Sequence, residues 1–124
     1  MAEIESYRDL KVWQRAMDLA VLVYGLTAAF PKQEQFGLTA QSRRAAASVA
    51  ANIAEGYGRS TKAAYLNFLR IAQGSLKETE THLILAGRVG LCTELRLATV
   101  LTEAEEIGRM LRALIVSLEQ HGRS

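Results

Sequence analysis

Cysteine and proline each occur once in the 124 residues, and histidine occurs only twice. The lone Cys92 excludes an internal disulfide framework, and one cysteine with two histidines is too few for a dense zinc site. No apolar run approaches the roughly 18 residues that a membrane-spanning helix needs, and the charged N-terminal segment does not resemble a signal peptide. We therefore expect a cytoplasmic protein with no metal, no cofactor and no membrane association.

Hydrophobic residues make up 49% of the chain and charged residues 23%. Alanine and leucine far outnumber valine and isoleucine, which favours helices over strands and excludes disorder. Ser60, Thr61 and Thr93 are candidate N-caps between long segments with apolar residues at helical spacing. The sequence predicts one domain over 1–124, an all-α antiparallel up-and-down four-helix bundle with helices at about 8–29, 38–57, 62–89 and 94–120.

The first predicted helix carries two neighbouring apolar stripes, which together cover more than half of its circumference. A surface helix of a monomer needs an apolar stripe only about 100° wide. Both stripes could form a wide core face, or the second stripe could pack against another subunit. The proposed core stripe is Leu10, Trp13, Ala16, Met17, Ala20, Val21 and Tyr24, and the proposed oligomer interface is Val12, Leu19, Val23, Leu26 and Phe30.

The second predicted helix has a polar stripe of unusual composition, because ordinary solvated faces contain more lysine and glutamate and less serine and asparagine. Its members are Gln41, Arg44, Ser48, Asn52, Glu55 and Arg59. This pattern indicates a half-buried polar seam or the lining of a cavity. We expect Ser75 and Glu78 of the third helix to join Gln41, Ser48, Asn52 and Glu55 in one hydrogen-bonded structural seam.

Ser75, Glu78 and His82 are the residues from which a catalytic site could be built, as nucleophile, orienting group and base. They lie on consecutive turns of one predicted helix, so their side chains project in parallel rather than towards one substrate atom. Glu78 and His82 also have the i,i+4 spacing of metal ligands, but they are only two. We therefore predict no catalytic residue and no metal ligand.

Charge is distributed unevenly along the chain. Residues 39–77 contain six basic residues and one acidic residue, Glu55, whereas most of the charged residues in 78–106 are acidic. The basic run could be an ordinary solvated face, or it could form a patch at one end of the bundle that binds an anionic partner such as RNA. In the second interpretation the phosphate contacts come from Arg43, Arg44, Arg59, Lys62 and Arg70.

Several stretches resemble the four-helix bundle family encoded by intervening sequences within 23S ribosomal RNA genes. They are Tyr7–Trp13, Phe30–Pro31, Gly37–Gln41, Arg43–Ala45, Asn52–Gly58 and Gly74–Glu78. The resemblance implies an up-and-down bundle that assembles as a ring-shaped homopentamer. The family is also similar to the accessory variability protein of diversity-generating retroelements, which binds nucleic acid and a reverse transcriptase. For most members the molecular role is unknown.

Residues and resemblance together predict a non-enzymatic, homo-oligomeric binding or scaffold protein. Its expected partners are other copies of itself and structured RNA, DNA or a protein that handles them, with no small-molecule substrate. The alternative is a purely structural protein–protein interaction module with no nucleic-acid role. An enzyme built around Ser75, Glu78 and His82 ranks last.

Overall fold

A computed structural model describes residues 3–121, and residues 1–2 and 122–124 of the predicted domain lie outside the described part. Four helices account for most of it: α1 (Lys11–Thr27), α2 (Leu38–Tyr57), α3 (Lys62–Arg88) and α4 (Glu94–Gln120). Each helix packs against its two neighbours around a square, in the order α1, α2, α3, α4. Within residues 3–121 there is no strand, which confirms the all-α four-helix bundle.

The helix boundaries follow the capping residues. Thr61 Oγ1 accepts a hydrogen bond from the Ala64 amide at 3.1 Å, and Thr93 Oγ1 accepts one from the Arg96 amide at 3.2 Å. These contacts satisfy amide groups that have no partner within the helix, so α3 and α4 begin where the sequence predicted. Gly90, with a φ of 83°, then follows the end of α3.

The first predicted helix, 8–29, is too long at both ends. Leu10 is extended, with a ψ of 124°, and it separates α1 from a short 3-10 turn at Tyr7–Asp9. That turn is held by Ser6 and Asp9. The Ser6 side chain accepts a hydrogen bond from a backbone amide within the turn, and the Asp9 side chain accepts one from the backbone amide of Ser6. Because these caps fix an extended residue at position 10, the α-helix cannot start before Lys11.

The core lies along the axis between the four helices, and it takes in the α1 stripe that was predicted for an oligomer interface. Most of the predicted core stripe also faces it, since Ala16 is buried and Leu10, Trp13 and Ala20 pack against the core. The residues predicted for an oligomer interface, Val12, Leu19, Val23, Leu26 and Phe30, are at most 8% exposed and pack inside the subunit. From the predicted core stripe, Met17, Val21 and Tyr24 are exposed instead. The interface assignment of those five residues is therefore wrong, because their side chains are already part of the core of the subunit.

The α2–α3 pair makes the most extensive helix contact in the bundle. Gly56 is buried there, and a Cβ atom at this position would lie only 2.8 Å from Phe68 Cβ. Small residues on α2 therefore let the two backbones approach closely. This close packing sets the spacing of the polar side chains that line the same two helices.

No helix of the described residues is both long and apolar enough to cross a membrane.

Candidate functional site

A small polar network joins α2 to α3. Ser48 Oγ lies 2.9 Å from Ser75 Oγ, and Asn52 Nδ2 donates to Ser48 Oγ at 2.9 Å and to the Ser48 carbonyl at 2.8 Å. Thr79 Oγ1 extends the network by donating to the Ser75 carbonyl at 2.8 Å. Buried hydroxyl and amide groups need such partners, and the Ser48–Ser75 contact is the one in this network that joins the two helices.

Three residues of the predicted seam lie outside this network. Glu55 is exposed and pairs with Arg59 one turn later on the same helix. Gln41 and Glu78 instead line a cleft of about 240 Å³ next to the network, together with Arg44, Ala45 and Ser48. The structure therefore brings together Ser48, Asn52 and Ser75 by direct hydrogen bonds and leaves the other three at the margin.

The three residues of the hypothetical catalytic site make separate contacts. Ser75 Oγ faces Ser48 across the α2–α3 contact. Glu78 Oε2 lies 3.7 Å from His82 Nε2, and the Glu78 side chain is largely exposed. A serine nucleophile needs its hydrogen bond to the base, and here the hydroxyl is directed to another hydroxyl on a different helix. Among residues 3–121, no group of three or more His, Cys, Asp or Glu side chains could hold a metal ion.

The five basic residues predicted to contact phosphate do not form one patch, which corrects the placement of the basic run at one end of the bundle. Arg43 and Arg44 lie near the start of α2, whereas Arg59 and Lys62 flank the α2–α3 turn. At a rise of 1.5 Å per residue, these two sets are about 20 Å apart along the helix axis. Because α2 spans the length of the bundle, the basic residues near its start and those after its end lie towards opposite ends of the bundle.

Most of these cations also have partners within the chain. The Arg43 guanidinium lies 4.4 Å from the centre of the Tyr24 ring and donates to Thr27 Oγ1 at 2.9 Å. Arg59 lies over the Phe68 ring at 4.8 Å, and Arg70 pairs with Glu119 of α4. Cation–π contacts of this kind stabilise the fold by about 0.5–1 kcal/mol at exposed sites. The side chains of Arg43 and Arg59 therefore serve in helix packing.

A second concave surface, which the sequence did not reveal, lies between α3 and α4. It has a volume of about 670 Å³, and its cationic side chains are Arg70, Lys77, Arg109 and Arg112. Gly74, Leu76 and Gly108 form its small and apolar part, and Glu105 is its one acidic lining residue. The sequence signal that could have indicated this groove is the pair of glycines inside long helices, where glycine is unfavourable.

Exposed apolar side chains mark the outer face of α1. Val21 is 69% exposed, Tyr24 50% and Met17 42%, and the three share one face within two turns. Leu22, 37% exposed, lies beside them on the side towards α4. Beside them, Arg15 forms a bidentate ion pair with Glu103 of α4, in which two guanidinium nitrogens donate to the two carboxylate oxygens at 2.7 and 3.0 Å. The hydrogen bonds from Arg15 lower the pKa of Glu103 below its ordinary value. The face thus combines an apolar ridge with a fixed ion pair at its edge.

Cys92 lies half-buried in the α3–α4 turn. Burial raises the pKa of its thiol, an effect that the nearby Arg96 only partly opposes. Because the thiolate is the reactive form of cysteine, this environment disfavours reactivity.

Comparison with known proteins places the chain in a family. The sequence profile described as 23S rRNA-intervening sequence protein matches residues 8–113. A crystal structure from Bacteroides thetaiotaomicron, described as a protein with unknown function from the S23 ribosomal protein family, has a TM-score of 0.76 at 27% identity. The match covers 84% of this chain and 97% of that one. No curated protein matches the chain in sequence.

These matches confirm the resemblance to the proteins of 23S rRNA intervening sequences, whereas the likeness to the accessory variability protein stays a prediction. The profile includes α1, α2, α3 and most of α4, so it spans the polar network and both concave surfaces. The chain therefore belongs to the 23S rRNA-intervening sequence protein family.

Proposed function

We propose that the protein is a non-enzymatic scaffold that assembles with copies of itself and acts by binding other macromolecules. The observation that carries this proposal is the apolar ridge on α1, formed by Met17, Val21, Leu22 and Tyr24. Contiguous exposed apolar side chains are uncommon on monomers and are typical of protein interfaces. The ridge, and not the buried stripe predicted from the sequence, is the proposed interface between subunits.

The proposed assembly is a closed ring, and the family resemblance implies five subunits. A ring needs a head-to-tail contact in which the ridge of one subunit meets a different surface of the next. The α1 ridge lies on one side of the bundle only, which suits a contact of this type.

The nature of the partner separates the two leading interpretations. The separation of Arg43 and Arg44 from Arg59 and Lys62 supports the protein-interaction module over an RNA-binding patch, because phosphate contacts need a continuous basic surface. Titration of labelled folded RNA at about 50 mM salt tests this choice. Absence of binding by the wild type supports the protein module, and equal binding by an Arg43→Glu, Arg59→Glu double variant rules out these two arginines as RNA contacts. Loss of tight binding in the variant supports the RNA surface.

The proposal that the chain is not an enzyme rests on the contacts of Ser75, Glu78 and His82. The hydroxyl of Ser75 is engaged with Ser48, and the Glu78–His82 pair points along the surface of α3. In a hydrolytic site these three groups would converge on one atom.

Light scattering during size-exclusion chromatography tests the assembly directly. For a subunit of 13.6 kDa, we expect a mass about five times larger at micromolar concentration. A mass equal to that of one subunit, at the highest concentration accessible, would contradict the proposal.

A further inference from the structure

The groove between α3 and α4 contains a glycine that the isolated subunit does not require. A Cβ atom added at Gly74 would meet no other atom within 4 Å, although the residue lies in the middle of a 27-residue helix. Glycine in a helix interior costs about 1 kcal/mol relative to alanine. By contrast, Gly56 is needed inside the subunit, since its Cβ would collide with Phe68. Gly25 of α1 has the same open space, but Gly74 lies in the α3–α4 groove, where the missing side chain leaves room for a close approach from outside the subunit.

The charges of the groove indicate what that molecule carries. Four cationic side chains line it against the single acid Glu105. Arg70 and Arg109 hold Glu119 and Glu106 in exposed ion pairs outside the lining, whereas Lys77 pairs with Glu80, whose side chain is only 15% exposed. Exposed pairs contribute only about 0–1 kcal/mol each, so Arg70 and Arg109 can turn to incoming carboxylates at small cost. Arg112 forms no ion pair with any residue of the described range 3–121, and its charge is directly available.

The dimensions of the groove fit a helix. Its lining runs from residue 70 to residue 77 on α3 and from 105 to 112 on α4. At 1.5 Å per residue this is about 10 Å, or two helical turns. Leu76 lies beneath the groove and is only 1% exposed, so the open space comes from the missing side chains of Gly74 and Gly108. This space leaves room for a ridge of side chains from a third helix.

We propose that the α3–α4 groove is a docking site for an amphipathic, acidic helix of a partner protein. Apolar side chains at i, i+4 and i+7 of that helix sit over Gly74 and Gly108, and its flanking carboxylates pair with Arg109 and Arg112. This inference rests on the proposed function only in that the protein acts by binding; it does not depend on the ring. Nucleic acid fits the groove less well, because phosphate groups do not need the space that the two glycines leave.

The test uses a fluorescein-labelled synthetic helical peptide of about 16 residues, with leucines at i, i+4 and i+7 and flanking glutamates. A second peptide carries lysine in place of every glutamate. We expect the acidic peptide to bind the wild-type protein, as measured by fluorescence anisotropy, at least about tenfold more tightly than the basic one. Comparable binding of the two peptides, or no saturable binding of the acidic one, would overturn the proposal.

Two variants locate the binding. Gly74→Leu places a side chain in the groove without a clash, so it is expected to fold and to weaken the acidic peptide by at least about tenfold. Its control is Ala63→Leu, which adds bulk at an exposed site of α3 outside the groove. Arg112→Glu is expected to weaken binding, whereas Arg88→Glu, an exposed charge reversal elsewhere on α3, is expected to leave it unchanged. Unchanged binding by both groove variants would refute the site.

Two further readings separate this proposal from others. A labelled RNA hairpin that displaces the peptide and loses affinity in Gly74→Leu would assign the groove to nucleic acid and overturn the proposal. Light scattering on the same samples reports assembly separately. A monomer that still binds the acidic peptide in the groove would contradict the ring and support the docking site.

Discussion

Replacement of glycine by alanine is expected to have opposite effects at two helical positions of this bundle. At Gly56 the new Cβ would lie 2.8 Å from Phe68 Cβ, 3.1 Å from Tyr65 Cδ1 and 3.2 Å from the Tyr65 carbonyl oxygen. Two of these are backbone or near-backbone atoms that cannot rotate away. At Gly74 the new Cβ would contact nothing within 4 Å.

The magnitudes follow from packing and helix propensity. Overpacking a well-packed contact typically costs 1–3 kcal/mol, and alanine returns about 1 kcal/mol through its helix propensity. Gly56→Ala is therefore expected to destabilise the protein by up to about 2 kcal/mol. Gly74→Ala gains the helix propensity of alanine without an overpacking cost, and it is expected to stabilise the protein by about 0.5–1 kcal/mol. For a chain of this length, 1 kcal/mol corresponds to about 3–6 °C in Tm.

Thermal unfolding followed by circular dichroism at fixed protein concentration measures both variants against wild type. The Tm should fall for Gly56→Ala and rise for Gly74→Ala. A rise for both variants would show that α2 and α3 can separate without cost, and the close α2–α3 packing described here would then be wrong. Urea titration of the same variants checks that the slopes agree and that the transitions are comparable.

Four other substitutions test the polar contacts. Asn52→Ala removes two hydrogen bonds to Ser48 and should lower the Tm by several degrees, since each is worth about 1 kcal/mol, whereas Glu55→Ala removes only an exposed pair and should change it little. Ser42→Ala should raise the Tm, because the Ser42 hydroxyl is fully buried and has no hydrogen-bond partner within the described residues. Glu103→Gln should destabilise the protein near neutral pH, and the difference from wild type should shrink as the pH falls through the lowered pKa of Glu103, because the wild-type carboxylate then loses its charge. Unfolding curves at about pH 7 and about pH 3 measure this, and a constant difference would contradict the role of the Arg15–Glu103 pair.

The helix boundaries were predictable because local chemistry determines them. Thr61, Thr93 and the glycines near 58 and 90 mark the ends of helices through hydrogen bonds over three or four residues. The exception was α1, which is shorter than predicted at both ends, and at its start Leu10 interrupts an otherwise continuous helical pattern. There the capping of the short turn by Ser6 and Asp9 outweighs the helical propensity of the segment.

The orientation of α1 was not predictable from its own sequence. A helical projection gives the angle between two apolar stripes but not which of them faces the other helices. The Val12–Val23 side became the core because it meets α2 and α4, and this left Val21 exposed. The surface sites were not predictable for the same reason, because the separation of the basic residues and the depth of the α3–α4 groove depend on how whole helices pack.

The account depends most directly on the apolar ridge of α1 as the contact between subunits. Val21→Glu places a charge at a position 69% exposed in the subunit, so the fold should survive while assembly is lost. Val89→Glu is the matched control, because that valine is 59% exposed at the end of α3. Light scattering should give a single-subunit mass for Val21→Glu and the full oligomer mass for Val89→Glu. An unchanged oligomer in Val21→Glu would contradict the proposed interface.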